Sequence, residues 1–218
     1  MLTGRKAVLF DFDGTLAHLN VDFQAMRRAV RRLAEQYGLA ADALDGLFVL
    51  EMIEQSRAMI EKISSGGGRR FVGRAMDLIR DIEVEAALRG RLFPGIEEMM
   101  AALFSRGIKI GIVTRNCEEA VRLIYPAVDQ FCGVLVSREY TKRVKPHPDH
   151  LLVALDILET AAHESVMVGD HPMDIVAGKE AGACTVGVLT GFADHDMLAG
   201  ANPDIILDRA TEILHVIN

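Results

Sequence analysis

The sequence predicts an α/β fold with a three-layer core, a parallel sheet and an inserted helical block. After Gly90, short apolar runs alternate with helical patterns, which is typical of parallel strands joined by right-handed crossovers. Between residues 20 and 89, apolar residues recur at helical spacing, and no strand pattern occurs. Apolar residues make up 50% of the chain and charged residues 25%, as in ordinary globular domains.

Composition excludes several function classes. The 218 residues suffice for one large domain, or for a domain with a smaller insertion. A net charge of -7 argues against a binder of nucleic-acid backbone, and no run has the length or pattern of a membrane span or signal peptide. Cys117, Cys132 and Cys184 lack metal-ligand spacing and are interpreted as reduced thiols. We therefore expect a cytoplasmic protein with neither a nucleic-acid nor a membrane partner, whose oligomeric state (monomer or homodimer) stays open.

The first predicted strand ends on two carboxylates. The apolar run 8–10 suits a parallel strand that is covered on both faces. Asp11 and Asp13 follow it on the same side of an extended chain, and Gly14 permits a turn. Such carboxylates need a compensating cation, proton or hydrogen-bond network. By themselves they fit two interpretations about equally: a nucleophile and a general acid/base held with Mg²⁺, or an acidic turn.

The helical block covers residues 19–90 and is predicted to form a separate small bundle, with the core at 1–18 and 91–218. Its first helix is expected over 22–37, because Phe23, Met26, Val30, Leu33 and Tyr37 are spaced 3, 4, 3 and 4 residues apart. Further helices are expected over 47–63 and 70–88, separated by a break from Ser64 to Gly68.

The second half of the chain is predicted to alternate between helices and strands. The expected strands are 108–113, 133–137, 165–168, 183–188 and 204–207. The expected helices are 96–105, 117–124, 148–160, 172–181 and a terminal helix.

Chemically distinctive residues follow several of these strands. In open α/β sheets, ligands bind beyond the carboxyl ends of the strands. Thr114 and Asp170 come at such ends, Asp174 lies at a helix N-terminus, and Lys145 precedes another helix in the proline-rich stretch 144–148. Carboxylates favour a hard cation such as Mg²⁺ or Ca²⁺, whereas a lysine and a hydroxyl beside them indicate an anion. Phosphate is the natural candidate.

Four segments, in this order, resemble the motifs of the haloacid dehalogenase superfamily. They are Asp11-Phe12-Asp13-Gly14-Thr15-Leu16, Ile112-Val113-Thr114-Arg115-Asn116, Lys145-Pro146, and Gly169-Asp170 with Asp174. The resemblance spans the whole chain and is closest to phosphoglycolate-phosphatase-like members. It implies a Rossmann-like core and identifies the helical block as a C1-type cap.

The resemblance also implies a Mg²⁺-dependent phosphatase that acts in two steps. Asp11 would attack phosphorus and form an aspartyl-phosphate, and Asp13 would protonate the leaving oxygen and then activate water. Thr114 and Lys145, with the backbone N–H groups of Asp13 and Arg115, would bind the phosphoryl oxygens. The metal ligands would be the Asp11 carboxylate, the Asp13 backbone carbonyl and Asp170, with Asp174 close by. The expected substrate is a small phosphorylated metabolite, such as 2-phosphoglycolate or a sugar phosphate.

Positions at which this sequence differs from the pattern of a subgroup help to rank the alternative functions. Asp13 argues against dehalogenase chemistry, and Lys62, the lone lysine of residues 19–90, is a weak candidate for phosphonatase chemistry. A phosphomutase of the β-phosphoglucomutase type is the weaker enzyme alternative, because Phe23 stands where those relatives carry histidine. A catalytically silent binding module would be expected to lack the nucleophile, the lysine or the acidic pair, and none of these is missing.

Substrate selection is expected in the cap, where Arg69, Arg70 and Arg74 could bind a second anionic group. The favoured alternative is that these arginines are solvated surface residues. The residues His147, His150 and His171 are expected to cap helices or lie at the surface rather than bind metal. The methionines are expected to pack in the core.

Overall fold

The computed structural model describes residues 2–217, except the side chains of residues 41 and 42. The chain divides into two compact units. The first comprises residues 2–19 and 87–217, and the second comprises Asn20–Ala86.

The first unit contains a six-stranded sheet. Its strands are β1 (Ala7–Phe10), β4 (Lys109–Val113), β5 (Val134–Val136), β6 (Ser165–Gly169), β7 (Cys184–Val188) and β8 (Ile205–Leu207). They lie side by side in the order β5-β4-β1-β6-β7-β8. Every neighbouring pair is parallel, with Phe10 in register with Ile112 on one side and with Val168 on the other. β1 and β6 are buried along their whole length, as continuous apolar runs predict.

Helices lie between these strands, and the last helix follows β8: α4 (Ile96–Ser105), α5 (Glu118–Ile124), α6 (Asp149–Ile157), α7 (Pro172–Ala181), α8 (His195–Gly200) and α9 (Ile213–Val216). A small antiparallel pair, β2 (Ala17–His18) and β3 (Arg91–Leu92), lies where the chain leaves and re-enters this unit. The predicted α/β core with a parallel sheet is confirmed.

The second unit is helical: α1 (Phe23–Glu35), α2 (Val49–Ile63) and α3 (Gly67–Ala87). Its core is a single cluster that includes Met26, Met52, Phe71 and Ile79. Phe71 meets Tyr37 edge to face, with ring centroids 5.5 Å apart. Met59 and Met76 pack against the same cluster, so the methionines contribute to packing as predicted.

The predicted break from Ser64 to Gly68 is too long, because α3 already begins at Gly67. The two Glu61 carboxylate oxygens accept the N–H groups of Gly66 (2.7 Å) and Gly68 (3.0 Å), which satisfies donors at the start of α3. A Cβ at Gly68 would be 2.5 Å from the Arg57 carbonyl oxygen. This glycine therefore permits the close approach of two helices rather than ending one.

The elements β2, β3 and α8 were not predicted from the sequence. Each has two to six residues, too few for periodicity to be detected. Among residues 2–217, none of the helices is both long and apolar enough to span a membrane.

Candidate active site

Three adjacent strands bring the predicted site residues together. Asp11 follows β1, Thr114 follows β4 and Asp170 follows β6, and β1 pairs with both of the other strands. The backbone fixes these positions, since the Asp11 N–H donates to the Val168 carbonyl at 2.9 Å and the Thr114 N–H to the Val136 carbonyl at 3.0 Å. The candidate site therefore lies at the carboxyl edge of the sheet.

Lys145 lies between two carboxylates. Its Nζ is 2.8 Å from Asp11 Oδ1 and 2.8 Å from Asp174 Oδ1. The lysine and Asp174 side chains are 1% and 0% exposed, whereas the Asp11 side chain retains 15% exposure. Asp11 is thus the member of this group that a solute can reach.

Two carboxyl groups of the candidate site, those of Asp11 and Asp170, have raised pKa values. Burial, together with the charges of Asp11 and Asp174, raises the pKa of Asp170 to about 8, and the hydrogen bonds from Phe192 and Thr15 oppose this shift. Burial also raises the pKa of Asp11, although Lys145 opposes that shift. Burial disfavours the lysine charge, but the two carboxylates outweigh it and raise the pKa of Lys145. Lys145 is therefore a cation, and one ammonium does not neutralise all three carboxylates when they are ionised.

This charge imbalance fits a divalent cation. Carboxylate oxygens of Asp11, Asp170 and Asp174 lie within 4.8 Å of one another, and oxygen donors are the ligands that Mg²⁺ prefers. Asp174 has further partners besides such an ion, since its Oδ2 accepts the His171 N–H at 3.0 Å and Lys145 contacts its Oδ1. The donor set thus fits the predicted metal, and Asp174 already has a partner on each of its carboxylate oxygens.

A loop after β7, residues 190–192, contacts the catalytic segments. The Phe192 N–H donates to Asp170 Oδ2 at 2.7 Å, and the Thr190 hydroxyl donates to the Gly14 carbonyl at 2.6 Å. A Cβ at Gly191 would lie 2.6 Å from the Gly14 Cα and overlap the Asp170 carboxylate. These contacts fix the position of the Asp170 carboxylate.

Sequence reasoning did not identify this loop, because Thr-Gly-Phe is ordinary turn sequence. It also missed Thr15 as a partner of Asp170, whose Oδ1 accepts the Thr15 hydroxyl at 3.1 Å. The loop could have been predicted from its position after a parallel strand, because that places it at the same edge of the sheet as Asp11 and Asp170.

The side chains of Asp13 and Arg115 both form hydrogen bonds with backbone groups. Asp13 Oδ1 accepts the Leu19 N–H at 2.9 Å. Arg115 directs Nη1 to the Lys145 carbonyl at 2.8 Å, so its side chain turns towards the lysine loop. The Thr114 hydroxyl is buried and donates to Asn116 Oδ1 at 2.9 Å.

Two of the predicted helix-capping histidines are found in that role, and the third is not. His171 caps α7, since its Nδ1 accepts the Met173 N–H at 3.0 Å. His147 Nδ1 accepts the N–H of the first residue of α6, Asp149, at 3.2 Å. His150 is fully buried, and its Nδ1 accepts the Lys145 N–H at 3.2 Å. A surface or capping role for His150 is therefore wrong.

Arg69, Arg70 and Arg74 are exposed within the second unit. Arg74 Nη2 is 3.4 Å from Gln36 Oε1, and its guanidinium is 5.9 Å from the centre of the Tyr37 ring. Their predicted contact with substrate stays a prediction.

A family model described as haloacid dehalogenase-like hydrolase matches residues 8–188, which include every site residue predicted from the sequence. The chain belongs to the haloacid dehalogenase-like hydrolase family.

Relatives of this hydrolase family span nearly the whole chain. A phosphoglycolate phosphatase of Xanthomonas campestris pv. campestris is 32% identical over 95% of this chain and 94% of its own length. An N-acetylmuramic acid 6-phosphate phosphatase of Pseudomonas aeruginosa is 31% identical over 98% of this chain and 95% of its own length. The predicted enzyme class, a haloacid dehalogenase-like phosphatase, is confirmed.

The fold agrees with solved structures of similar size. The crystal structure of a hydrolase from Pseudomonas syringae superposes with a TM-score of 0.70, covers 97% of each chain and is 21% identical. At that identity the likeness supports the fold alone.

Proposed function

We propose that this protein is a Mg²⁺-dependent phosphatase that hydrolyses a small phosphorylated metabolite through a phosphorylated Asp11. The observation that carries this proposal is the Lys145 ammonium, 2.8 Å from the carboxylate oxygens of both Asp11 and Asp174. A buried lysine beside the more exposed Asp11 provides positive charge where phosphoryl oxygens would lie.

In the first step, an Asp11 oxygen forms a bond to phosphorus while the bond from phosphorus to the substrate's ester oxygen breaks. Asp13 gives its proton to that leaving oxygen. In the second step, Asp13 takes a proton from water, and the water oxygen bonds to phosphorus and releases Asp11. The Leu19 N–H that donates to Asp13 Oδ1 at 2.9 Å orients this carboxyl group through both steps.

Binding of the transferred group is assigned to Thr114 and Lys145, with the backbone N–H groups of Asp13 and Arg115. Bound Mg²⁺ would neutralise charge on the phosphoryl group. Asp11, the Asp13 carbonyl and Asp170 would hold it, and Asp174 would support them from its bonds to Lys145 and His171.

The proposed substrate class is a small phosphate monoester, such as 2-phosphoglycolate or a sugar phosphate. The two phosphatase relatives are named for a phosphorylated two-carbon acid and a phosphorylated amino sugar, so relatives at similar identity differ in substrate. Arg69, Arg70 and Arg74 are the proposed contacts for a second anionic group. A cytoplasmic location remains a prediction from the sequence.

The test is phosphate release from an activated aryl phosphate, with and without Mg²⁺. We expect Mg²⁺-dependent turnover by the wild type and a loss of at least about a thousandfold in Asp11→Asn, because the amide cannot attack phosphorus. Asp196→Asn is the matched control, because the Asp196 side chain is fully exposed and should leave activity unchanged. A silent wild type would overturn the proposal in favour of a binding module. Transfer of phosphate between sugar positions would indicate the mutase.

A further inference from the structure

The backbone of Lys145 is held at both ends of the residue. Its N–H donates to His150 Nδ1 at 3.2 Å, and its carbonyl accepts from Arg115 Nη1 at 2.8 Å. Neither side chain has a role in the proposed phosphoryl transfer. Both of them nevertheless act on the residue whose ammonium contacts Asp11.

His150 has no exposed surface, and an imidazole is costly to bury unless its polar atoms are used. It lies in the first turn of α6, five residues after Lys145. Because Nδ1 accepts a hydrogen bond, it carries no proton. Consistently, burial lowers the pKa of His150 to about 3, with Lys145 and Arg115 adding to the shift.

Arg115 connects the lysine to the sheet. Its own carbonyl accepts from Arg138 Nη1 at 3.1 Å, and the Arg138 side chain is 2% exposed. Arg115 follows β4 and Arg138 follows β5. The ends of two paired strands are therefore linked through two arginines to the Lys145 carbonyl.

We propose that His150 is a positioning residue for Lys145: by holding the Lys145 N–H from α6, while Arg115 holds its carbonyl from β4, it fixes where the ammonium meets the phosphoryl group. This inference rests on the proposed function, because it assumes that Lys145 binds phosphoryl oxygens. The way in which the Lys145 backbone is held can nevertheless be tested separately from that function. A lysine ammonium binds an anion less tightly when the flexible side chain that carries it can move.

The test compares His150→Leu with His150→Asn in the full-length protein. Leucine fills similar space without an acceptor, whereas asparagine Oδ1 can accept the Lys145 N–H as Nδ1 does. We expect His150→Leu to weaken the binding of inorganic phosphate, measured by calorimetry with Mg²⁺ present, and to lower kcat/KM for an aryl phosphate, each by about tenfold. His150→Asn should recover most of both losses, while Mg²⁺ binding stays unchanged in both variants.

His147→Leu is the matched control, because it also deletes a 3.2 Å hydrogen bond from a backbone N–H to a histidine Nδ1, in this case from Asp149. It should leave phosphate binding and turnover unchanged. A merely structural role for His150 would lower the melting temperature without changing phosphate affinity per folded molecule, and that result would overturn the proposal. Equal losses in the leucine and asparagine variants would also overturn it.

A wild type that neither binds phosphate nor hydrolyses the ester would refute the proposed function rather than this inference. The positioning role is then decided by a crystal structure of His150→Leu. Displacement of Lys145 Nζ from the 2.8 Å contact with Asp11 would support it, and an unchanged contact would overturn it.

Discussion

Lys145 Nζ is equidistant, at 2.8 Å, from Asp174 Oδ1 and Asp11 Oδ1. The lysine therefore belongs as much to the buried acidic cluster as to the more exposed nucleophile. One buried ammonium partly neutralises three carboxylates within 4.8 Å of one another, so its removal should affect stability as well as catalysis.

Lys145→Met should lower the free energy of unfolding by about 3 kcal/mol in metal-free buffer, because it leaves buried carboxylates without their cation. The loss should grow as pH rises, since fewer protons are then available to neutralise these carboxylates. Urea unfolding at several pH values measures both effects. Lys62→Met, at an exposed lysine, should leave stability nearly unchanged. A Lys145→Met protein as stable as the wild type at pH 8 would contradict the prediction.

Gly191→Ala should reduce Mg²⁺ affinity by at least about tenfold, because the added methyl group would overlap the Asp170 carboxylate and displace it. Calorimetric titration of the metal-free variant measures the loss directly. Gly200→Ala is the control, since no atom lies within 4 Å of a Cβ built at Gly200. Unchanged Mg²⁺ affinity in Gly191→Ala would show that the loop adjusts without moving Asp170.

Mg²⁺ should raise the melting temperature, because a ligand that binds only the folded state stabilises it, by about 2.7 kcal/mol at a hundred times its Kd. The affinity should increase as pH rises towards 8, since the pKa of Asp170 is about 8 without metal and its proton must leave before the carboxylate binds the ion. Thermal unfolding with EDTA or Mg²⁺ at pH 6, 7 and 8 checks this. Asp170→Asn should lose most of the shift, and a shift of full size in that variant would exclude Asp170 as a ligand.

His150 should make the protein less stable in acid. Its pKa is about 3 in the folded state and about 6.5 in the unfolded chain, so between these values the unfolded state binds the extra proton. Stability contributed by this residue is complete above pH 6.5 and falls by about 1.4 kcal/mol per pH unit below it, or by about 2 kcal/mol at pH 5.

His150→Asn should therefore show a smaller decrease in unfolding free energy between pH 7 and pH 5 than the wild type, because asparagine does not titrate in this range. Urea unfolding at the two pH values gives the difference. Parallel curves for the two proteins would indicate that His150 has the same pKa in the folded and unfolded states, which would contradict the prediction.

Much of the site could be predicted because its residues directly follow strands with clear hydrophobic patterns. The buried run 7–10 makes Asp11 the first residue beyond a strand, and Asp170 follows the fully buried β6 in the same way. The helical second unit was equally evident, since α1 buries Met26, Val30 and Leu33 at the predicted spacing. These are local signals, carried by residues within one or two turns or strands of one another.

Contacts between distant segments could not be predicted in this way. Phe192 donates to Asp170 across 22 residues, and Thr190 donates to Gly14 across 176. His150 illustrates the same limit at short range, because the sequence predicted a capping or surface role, whereas the ring is buried against the backbone of Lys145, five residues away.

The sequence by itself determined the class of fold, the order along the chain of its longer strands and helices, and the identity of the carboxylates, hydroxyl and ammonium at the sheet edge, because hydrophobic periodicity and residue chemistry are written along the chain. Only the tertiary structure decided that Lys145 lies between Asp11 and Asp174, that Gly191 packs against Asp170, and that a neutral His150 holds the lysine backbone. The physical reason is that these arrangements depend on which segments the parallel sheet makes neighbours, and on the burial that results.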